Sequence, residues 1–287
     1  MKFFKLNNDI HLPALGLGAG IIPKNNEDGT NPAADKQKAI YQYCIDNYDK
    51  LLYDTSSSYG LNEAVLGEMI ANNPDARKKM FLSVKISNAE QRSGDIKAAF
   101  QKHLDTLNTD YVDMLLLHWP HPGTYVNSYK QMEELYAEGK VKSLGVSNFH
   151  QHHLGYLMKN TTIVPAVNQI EVHPLFTQIP LITFCRQHGI RVMAYTPLGR
   201  MHDVLIKSKT LREMAKKYNK TVPQIILRWD YQRGLASIPR TSTPAHFEEF
   251  MDIFNFEMTA EEIQEINRVN ENIRLRFNPD TVDYRIV

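Results

Sequence analysis

The 287-residue chain predicts an α/β fold: a (β/α)8 barrel of the TIM type, entered through an N-terminal β-hairpin and followed by an extra C-terminal helix. Three observations carry that expectation. Short apolar runs alternate with longer amphipathic stretches along the whole chain, the strand-like runs after the hairpin number eight, and a helical pattern follows each of them. A helix after every strand lets each connection be a right-handed crossover, so the sheet is parallel and surrounds one core. Length alone allows two domains at about 150 residues each, but barrels of this class reach ~250 residues as one unit, so 1–287 is read as one domain.

The hairpin rests on Phe3-Phe4-Lys5-Leu6 and Ile10-His11-Leu12-Pro13, two β-prone runs separated by the turn-forming Asn7-Asn8-Asp9. Strands follow over 14–17, 51–54, 80–86, 112–117, 141–147, 167–171, 191–195 and 235–238. Helical patterns fill the intervals at 35–48, 62–71, 95–107, 128–138, 151–158, 179–188, a pair at 210–218 and 222–232, and 244–250. Ser93 or Asp95 can cap the third helix; Gly139 and Gly189 stand where the fourth and sixth should end; and Thr221 before Val222-Pro223 reads as an N-cap with proline in the first turn. A further amphipathic segment at 259–270 opens with Thr259 and Glu262 at capping-box spacing. The rival architecture is an open nucleotide-binding sheet, which Gly16-Leu17-Gly18-Ala19-Gly20 superficially suggests. The fingerprint needs a third glycine one residue further on, opening a helix, whereas Gly20 leads into the loop Ile21-Ile22-Pro23-Lys24-Asn25-Asn26.

Composition narrows the function. With 33 basic and 32 acidic residues the formal charge is +1, so no general field gathers nucleic acid or an anionic membrane, and any anion must be held by a local pocket. No run approaches the ~20 apolar residues of a spanning helix, and the start of the chain breaks its apolar run too early for a signal peptide. The expected compartment is the cytoplasm, with Cys44 and Cys185 as reduced, packed thiols rather than a disulfide framework.

In a barrel the chemistry gathers at the C-terminal ends of strands. There the second strand ends in Asp54 and leads to Tyr59, the third carries Lys85, and the fourth leads into His118-Trp119-Pro120. Each has an ordinary structural reading: a turn cap, a packed ring, an ion pair with Asp54, a hydrogen-bonded core histidine. Together they are harder to dismiss, because Lys85 sits inside the buried pattern Phe81-Leu82-Ser83-Val84-Lys85-Ile86, where an unpaired ammonium is expensive.

These residues fall within longer strings: Tyr53-Asp54-Thr55-Ser56-Ser57-Ser58-Tyr59-Gly60, Leu115-Leu116-Leu117-His118-Trp119-Pro120, Gly145-Val146-Ser147-Asn148-Phe149, Asn168-Gln169-Ile170-Glu171-Val172-His173-Pro174 and Ala194-Tyr195-Thr196-Pro197-Leu198-Gly199. In this order, with Lys85 between the first two, the chain from about residue 12 to 270 resembles the aldo-keto reductases, in particular their short, microbial-type members. The resemblance implies an NADP(H)-dependent oxidoreductase that reduces small aldehydes and ketones to alcohols and runs the reverse reaction. Tyr59 would give a proton to the carbonyl oxygen as hydride reaches its carbon. Chemistry agrees: a free phenol with a pKa near ~10 is a weak acid, a cation within ~4–6 Å lowers that value, and Lys85, held by Asp54, is the expected cation. His118 would hydrogen-bond the carbonyl oxygen and stabilise its growing charge.

By the same resemblance Ser147, Asn148 and Gln169 would hold the nicotinamide amide and Tyr195 would stack on its ring. Thr196 and Leu198, with Arg240, Thr241, Ser242, His246 and Glu249, would take the phosphate and adenosine end. The family's usual lysine, serine, arginine and asparagine are here Arg240, Thr241, His246 and Phe250. Arg240 can still grip a phosphate in two-pronged fashion, so NADPH is the expected cofactor, while a histidine at 246 brings less charge at neutral pH than an arginine and leaves NADH as the alternative. Trp119 and Tyr125 are expected pocket walls. Where members of the family often carry an aromatic, this chain has Ala19-Gly20 leading into an insertion through Pro32; that missing ring, a short loop between Gly199 and Thr210 and a short tail at 271–287 predict an open pocket and broad specificity for a small carbonyl substrate, in a monomer or weak homo-oligomer.

Rival chemistries fit less well. The histidines at His150, His152, His153, His118 and His121 invite a metal reading, but the first strand ends in Gly18 without ligands and His150 to His153 open a helix, so no metal is expected. A glycosidase needs two carboxylates ~5–9.5 Å apart, and Asp54 is better explained by Lys85. A non-catalytic nucleotide-binding barrel, acting as a redox sensor or regulatory subunit, would keep Ser147, Asn148, Gln169 and Tyr195 but has no need of Tyr59, Lys85, Asp54 and His118 together.

Overall fold

The computed structural model describes residues 1–287. Strands β1 (Phe3–Lys5) and β2 (His11–Pro13) form the antiparallel hairpin. The barrel begins with β3 (Gly16–Gly18), α1 (Pro32–Asn47), β4 (Leu51–Asp54), α2 (Asn62–Asn72), α3 (Pro74–Lys79) and β5 (Met80–Ile86). Next come α4 (Asn88–Ser93), α5 (Ile96–Leu107), β6 (Met114–Leu117), α6 (Tyr125–Ala137), β7 (Leu144–Ser147), α7 (Gln151–Asn160) and β8 (Val167–Glu171). It continues through α8 (Ile179–Gln187), β9 (Arg191–Tyr195), α9 (Asp203–Lys207), α10 (Lys209–Tyr218), α11 (Val222–Gln232) and β10 (Ala236–Ile238). Helices α12 (Pro244–Met251) and α13 (Ala260–Asn267) complete the chain's regular structure.

All pairings from β3 to β10 are parallel and consecutive, and the ring closes where Ser237 N donates to Ala14 O and Gly18 N to Pro239 O. The expected caps form: Asp95 accepts from Ala98 N, Thr221 and Thr259 make capping boxes, and Gly139 and Gly189 take positive φ after α6 and α8. Ser93 instead ends α4 by donating to Glu90 O. Both cysteines are free and buried.

Strand residues alternate faces with period two, and this puts the site at one end. The outward-facing Leu82, Val84 and Ile86 of β5 pack against the helices, as do Leu51 and Tyr53 of β4 and Leu115 and Leu117 of β6. Inward positions run from apolar to polar along each strand: Leu52 then Asp54, Phe81 then Ser83 and Lys85, Met114 and Leu116 then His118, Val167 then Gln169 and Glu171, Met193 then Tyr195. The apolar lower layer joins Leu6 and Leu12 of the hairpin, which covers the strands' N-terminal end. Asn7 donates to Val164 O and Pro165 O, and Asn8 to Lys142 O, tying that cover to the segments before β8 and β7.

Candidate active site

Above the apolar layer the polar residues form one connected network. Lys85 Nζ lies 2.5 Å from Asp54 Oδ2 and 3.1 Å from Thr55 O; Asp54 Oδ1 accepts from Gln169 Nε2 at 2.8 Å and from Ser83 Oγ at 3.3 Å. Both members of the ion pair are buried, Lys85 completely. Burial is the largest influence on Lys85 and opposes its charge, yet Asp54 and then Tyr59 outweigh it and raise its pKa, so the ammonium persists. Its Nζ lies 4.7 Å from the centre of the Tyr59 ring.

Tyr59 is delivered by a single 3-10 turn, Ser57–Tyr59, started by Ser56 Oγ accepting from Ser58 N. Gly60 follows with φ +62°, and a Cβ there would lie 2.0 Å from Ile22 O, so the close approach of the inserted loop requires glycine. Ile22 N donates to Tyr59 O and Leu61 N to Ile22 O, which makes that loop the clamp that holds the tyrosine in place. The phenol departs from expectation in one respect. Burial raises its pKa more than Lys85 lowers it, so the net shift is upward and the hydroxyl keeps its proton at neutral pH.

His118 stands edge-on to Tyr59, ring centres 5.7 Å apart, and its Nδ1 is 3.3 Å from Ser56 Oγ. Burial, then the Lys85 charge, pushes its pKa down to about 3, so the ring is neutral. Trp119 is buried beside it, with Gln91 Nε2 donating to its carbonyl. Tyr125 sits at the start of α6 and packs edge-on against Phe149, with His153 and Tyr156 alongside.

At the adjoining rim Ser147 Oγ donates to Gln169 O, while Asn148, at φ +66°, donates from Nδ2 to His118 O at 3.0 Å and accepts from the Tyr195 hydroxyl at 2.7 Å. Six consecutive strands, β4 to β9, are thereby joined through Asp54, Lys85, His118, Asn148, Gln169 and Tyr195. Thr196 lies just beyond Tyr195 with φ +51°, and Leu198 is half-buried against the core.

The β10 end is more varied. Arg240 is exposed and lies over Gly20, where an added Cβ would meet Arg240 Cζ at 2.2 Å. Thr241 is buried and accepts from Thr243 N, whereas Ser242 and His246 are exposed near the start of α12, whose N-cap Thr243 makes no side-chain cap. Glu249 accepts from Thr221 Oγ1, joining α12 to α11, and Phe250 is core. Amide and hydroxyl groups beside the half-buried Tyr195, with an exposed guanidinium and an uncapped helix start further along, suit a dinucleotide carrying phosphates.

Two features went unread in the sequence. Ser56 is the partner of His118, and Glu171 holds the tail. Its buried carboxylate accepts Leu275 N at 2.6 Å, Arg276 N at 3.1 Å and contacts His173 Nε2 at 3.0 Å. The tail then runs over the barrel mouth, Asp280 Oδ2 meets His150 Nδ1 at 2.8 Å with His152 and His153 close by, and Val287 O accepts from Asn88 Nδ2. The tail's backbone is thus pinned on two sides of the mouth, at the end of β8 and at the start of α4. The histidine group begins three residues beyond β7 and meets the tail at Asp280, so that four groups able to bind a metal, His150, His152, His153 and Asp280, lie within 4.8 Å of one another where no metal was expected.

A closed parallel barrel with a lysine-backed tyrosine and a neutral histidine at its C-terminal rim defines a carbonyl oxidoreductase. The Aldo/keto reductase family model matches residues 14–271, and the chain belongs to that family. It is 37% identical to glyoxal reductase of Bacillus subtilis, covering 96% of this chain and 95% of that one. It is 36% identical to the 9,11-endoperoxide prostaglandin H2 reductase of Trypanosoma cruzi over 96% and 94% of the two chains. Among solved structures, an aldo-keto reductase from a Medee basin deep-sea metagenome library superimposes with a TM-score of 0.86 at 34% identity, covering 98% of this chain and all of that one. The Bombyx mori aldo-keto reductase in complex with NADP gives 0.83 at 31% identity over 97% and 95%. The reaction class is the family's, NADPH-dependent reduction of carbonyl groups.

Proposed function

We propose that Tyr59 is the proton donor in reduction of a small aldehyde or ketone, with Lys85, Asp54 and His118 completing the site. The single observation that carries these roles is the buried chain Gln169–Asp54–Lys85, with the Lys85 ammonium 4.7 Å from the Tyr59 ring centre and the neutral His118 alongside. NADPH, when bound, supplies the hydride. Ser147, Asn148 and Gln169 would hold its amide, Tyr195 would support its ring, and Thr196, Leu198, Arg240, Thr241, Ser242, His246 and Glu249 would line its phosphate and adenosine end. Trp119 and Tyr125 would wall the carbonyl pocket.

Tyr59 holds its proton until negative charge grows on the carbonyl oxygen, and Lys85 then stabilises the phenolate left behind. Asp54 keeps Lys85 charged and in position in a dry site. With the Ser56 hydroxyl donating to Nδ1, His118 carries its proton on Nε2 and offers it to the same oxygen. The expected surroundings are the cytoplasm, in keeping with two free buried thiols, and the expected state is a monomer or weak homo-oligomer.

The test is Tyr59→Phe, assayed by the absorbance of reduced cofactor with a reactive aldehyde. Turnover should fall by roughly 10²–10⁴-fold, the usual contribution of a general acid, while NADPH binding measured by fluorescence is retained. A variant that turns over like the wild type removes Tyr59 from the acid role.

A further inference from the structure

The tail brings a charge to the mouth that none of the roles above uses. Glu171, the last residue of β8, pairs in register with Tyr195 of β9, so the backbone of Arg276, bonded to Glu171, is held one strand from Tyr195. Tyr195 in turn reaches Asn148, and Asn148 the His118 carbonyl. The carboxylate of Glu171 is taken up by backbone N–H groups and His173 rather than by the Arg276 side chain, which is exposed and makes no ion pair within the protein. Its neighbour Arg274 is engaged, lying over the Phe176 ring and donating to His150 Nε2. The Arg276 charge also reaches Tyr59, His118 and Tyr195 as a minor downward pull beside the larger effect of burial, which raises the two phenols and lowers the histidine.

We propose that Arg276 is a substrate-specificity residue that binds a carboxylate, so that the preferred substrates are aldehydes or ketones bearing a carboxylate group a few atoms from the carbonyl. This rests on the carbonyl-reductase reading above. A planar guanidinium with free donors matches a carboxylate in two-pronged fashion, and the backbone that carries it is already fixed by Glu171. With the whole chain near neutrality, selection for an anion has to come from such a local group. The carboxylate takes no part in bond making: the carbonyl carbon gains hydride, its oxygen gains the proton from Tyr59, and the acid group leaves unchanged on the hydroxy acid product.

Straight-chain ω-oxo acids from 4-oxobutanoate upward, each with its methyl ester, provide charged and neutral versions of the same carbonyl. The wild type should favour the acid at one or more chain lengths. Arg276→Gln should lower kcat/KM for that acid by about tenfold or more, through KM, and leave the ester within about twofold, with Arg276→Lys recovering part of the loss. Equal effects on acid and ester, a wild type that never prefers the acid, or a rise in the KM for NADPH with both substrates would each overturn the assignment. If the wild type reduces neither acids nor esters nor simple aldehydes, it is the reductase reading itself that fails.

Discussion

Arg240 and His246 stand at positions where the family resemblance places basic groups, and they differ in how they are held. Arg240 lies over Gly20 in a space no larger residue would leave, while His246 is exposed on α12. His246→Arg adds a fixed cation beside the expected 2′-phosphate, so the ratio of kcat/KM for NADPH over NADH should rise by about tenfold, the scale of one charge-assisted hydrogen bond. Steady-state kinetics with both cofactors measures this, and an unchanged ratio would place His246 outside that subsite. At this scale the reactive groups were legible because they break a pattern: a lysine inside an apolar β run and an aspartate ending another demand each other. Ser56 was not legible, since a serine in a serine-rich turn carries no periodic signal. Arg276 was hidden for a related reason: its position depends on backbone bonds to a side chain about a hundred residues earlier, and no local spacing encodes that.

Helix α5 illustrates the next scale. Its His103 is buried between Glu63 of α2, 2.9 Å from Nδ1, and Glu90 of α4, 3.1 Å from Nε2. Burial works against its charge, but the two carboxylates outweigh that and raise its pKa from 6.5 to about 10. A histidine held above its unfolded value contributes stability in full below about pH 6.5 and loses it as the pH climbs towards 10. The melting temperature of the wild type should therefore drop between pH 7 and pH 10 by more than that of His103→Gln, as read by circular dichroism. Parallel curves for the two proteins would exclude the ion triad as the cause. Most elements were readable from caps and periodicity, and β4, β5, β8, β9 and α11 match their expected bounds. The short helices α3, α4 and α9 were missed, because five or six residues are too few to show a period against their flanking turns. Helix α6 starts earlier than expected, at Tyr125, whose N–H donates to His121 O and whose ring packs against Phe149.

Across the whole molecule the barrel is covered at both ends by its own termini. At the mouth, ending the chain after Asn278 removes the Asp280 and Val287 contacts while keeping the bonds to Glu171. The KM for carbonyl substrates should rise about fivefold, equivalent to roughly 1 kcal/mol of lost pocket contact, with NADPH affinity by fluorescence quenching nearly unchanged. A full-length KM in the shortened protein would show that the tail's last stretch does not shape the pocket. At the other end, Leu6 and Leu12 of the hairpin seal an interior of Leu52, Phe81, Met114 and Leu116. Lys85 and Asp54 therefore have an oily floor beneath them and no aqueous path from below. With Tyr59 as the proposed acid, the proton it gives up in each cycle would have to be replaced from the mouth, the same route by which the product alcohol departs, so reloading the acid and emptying the pocket share a single doorway and are expected to follow one another in time.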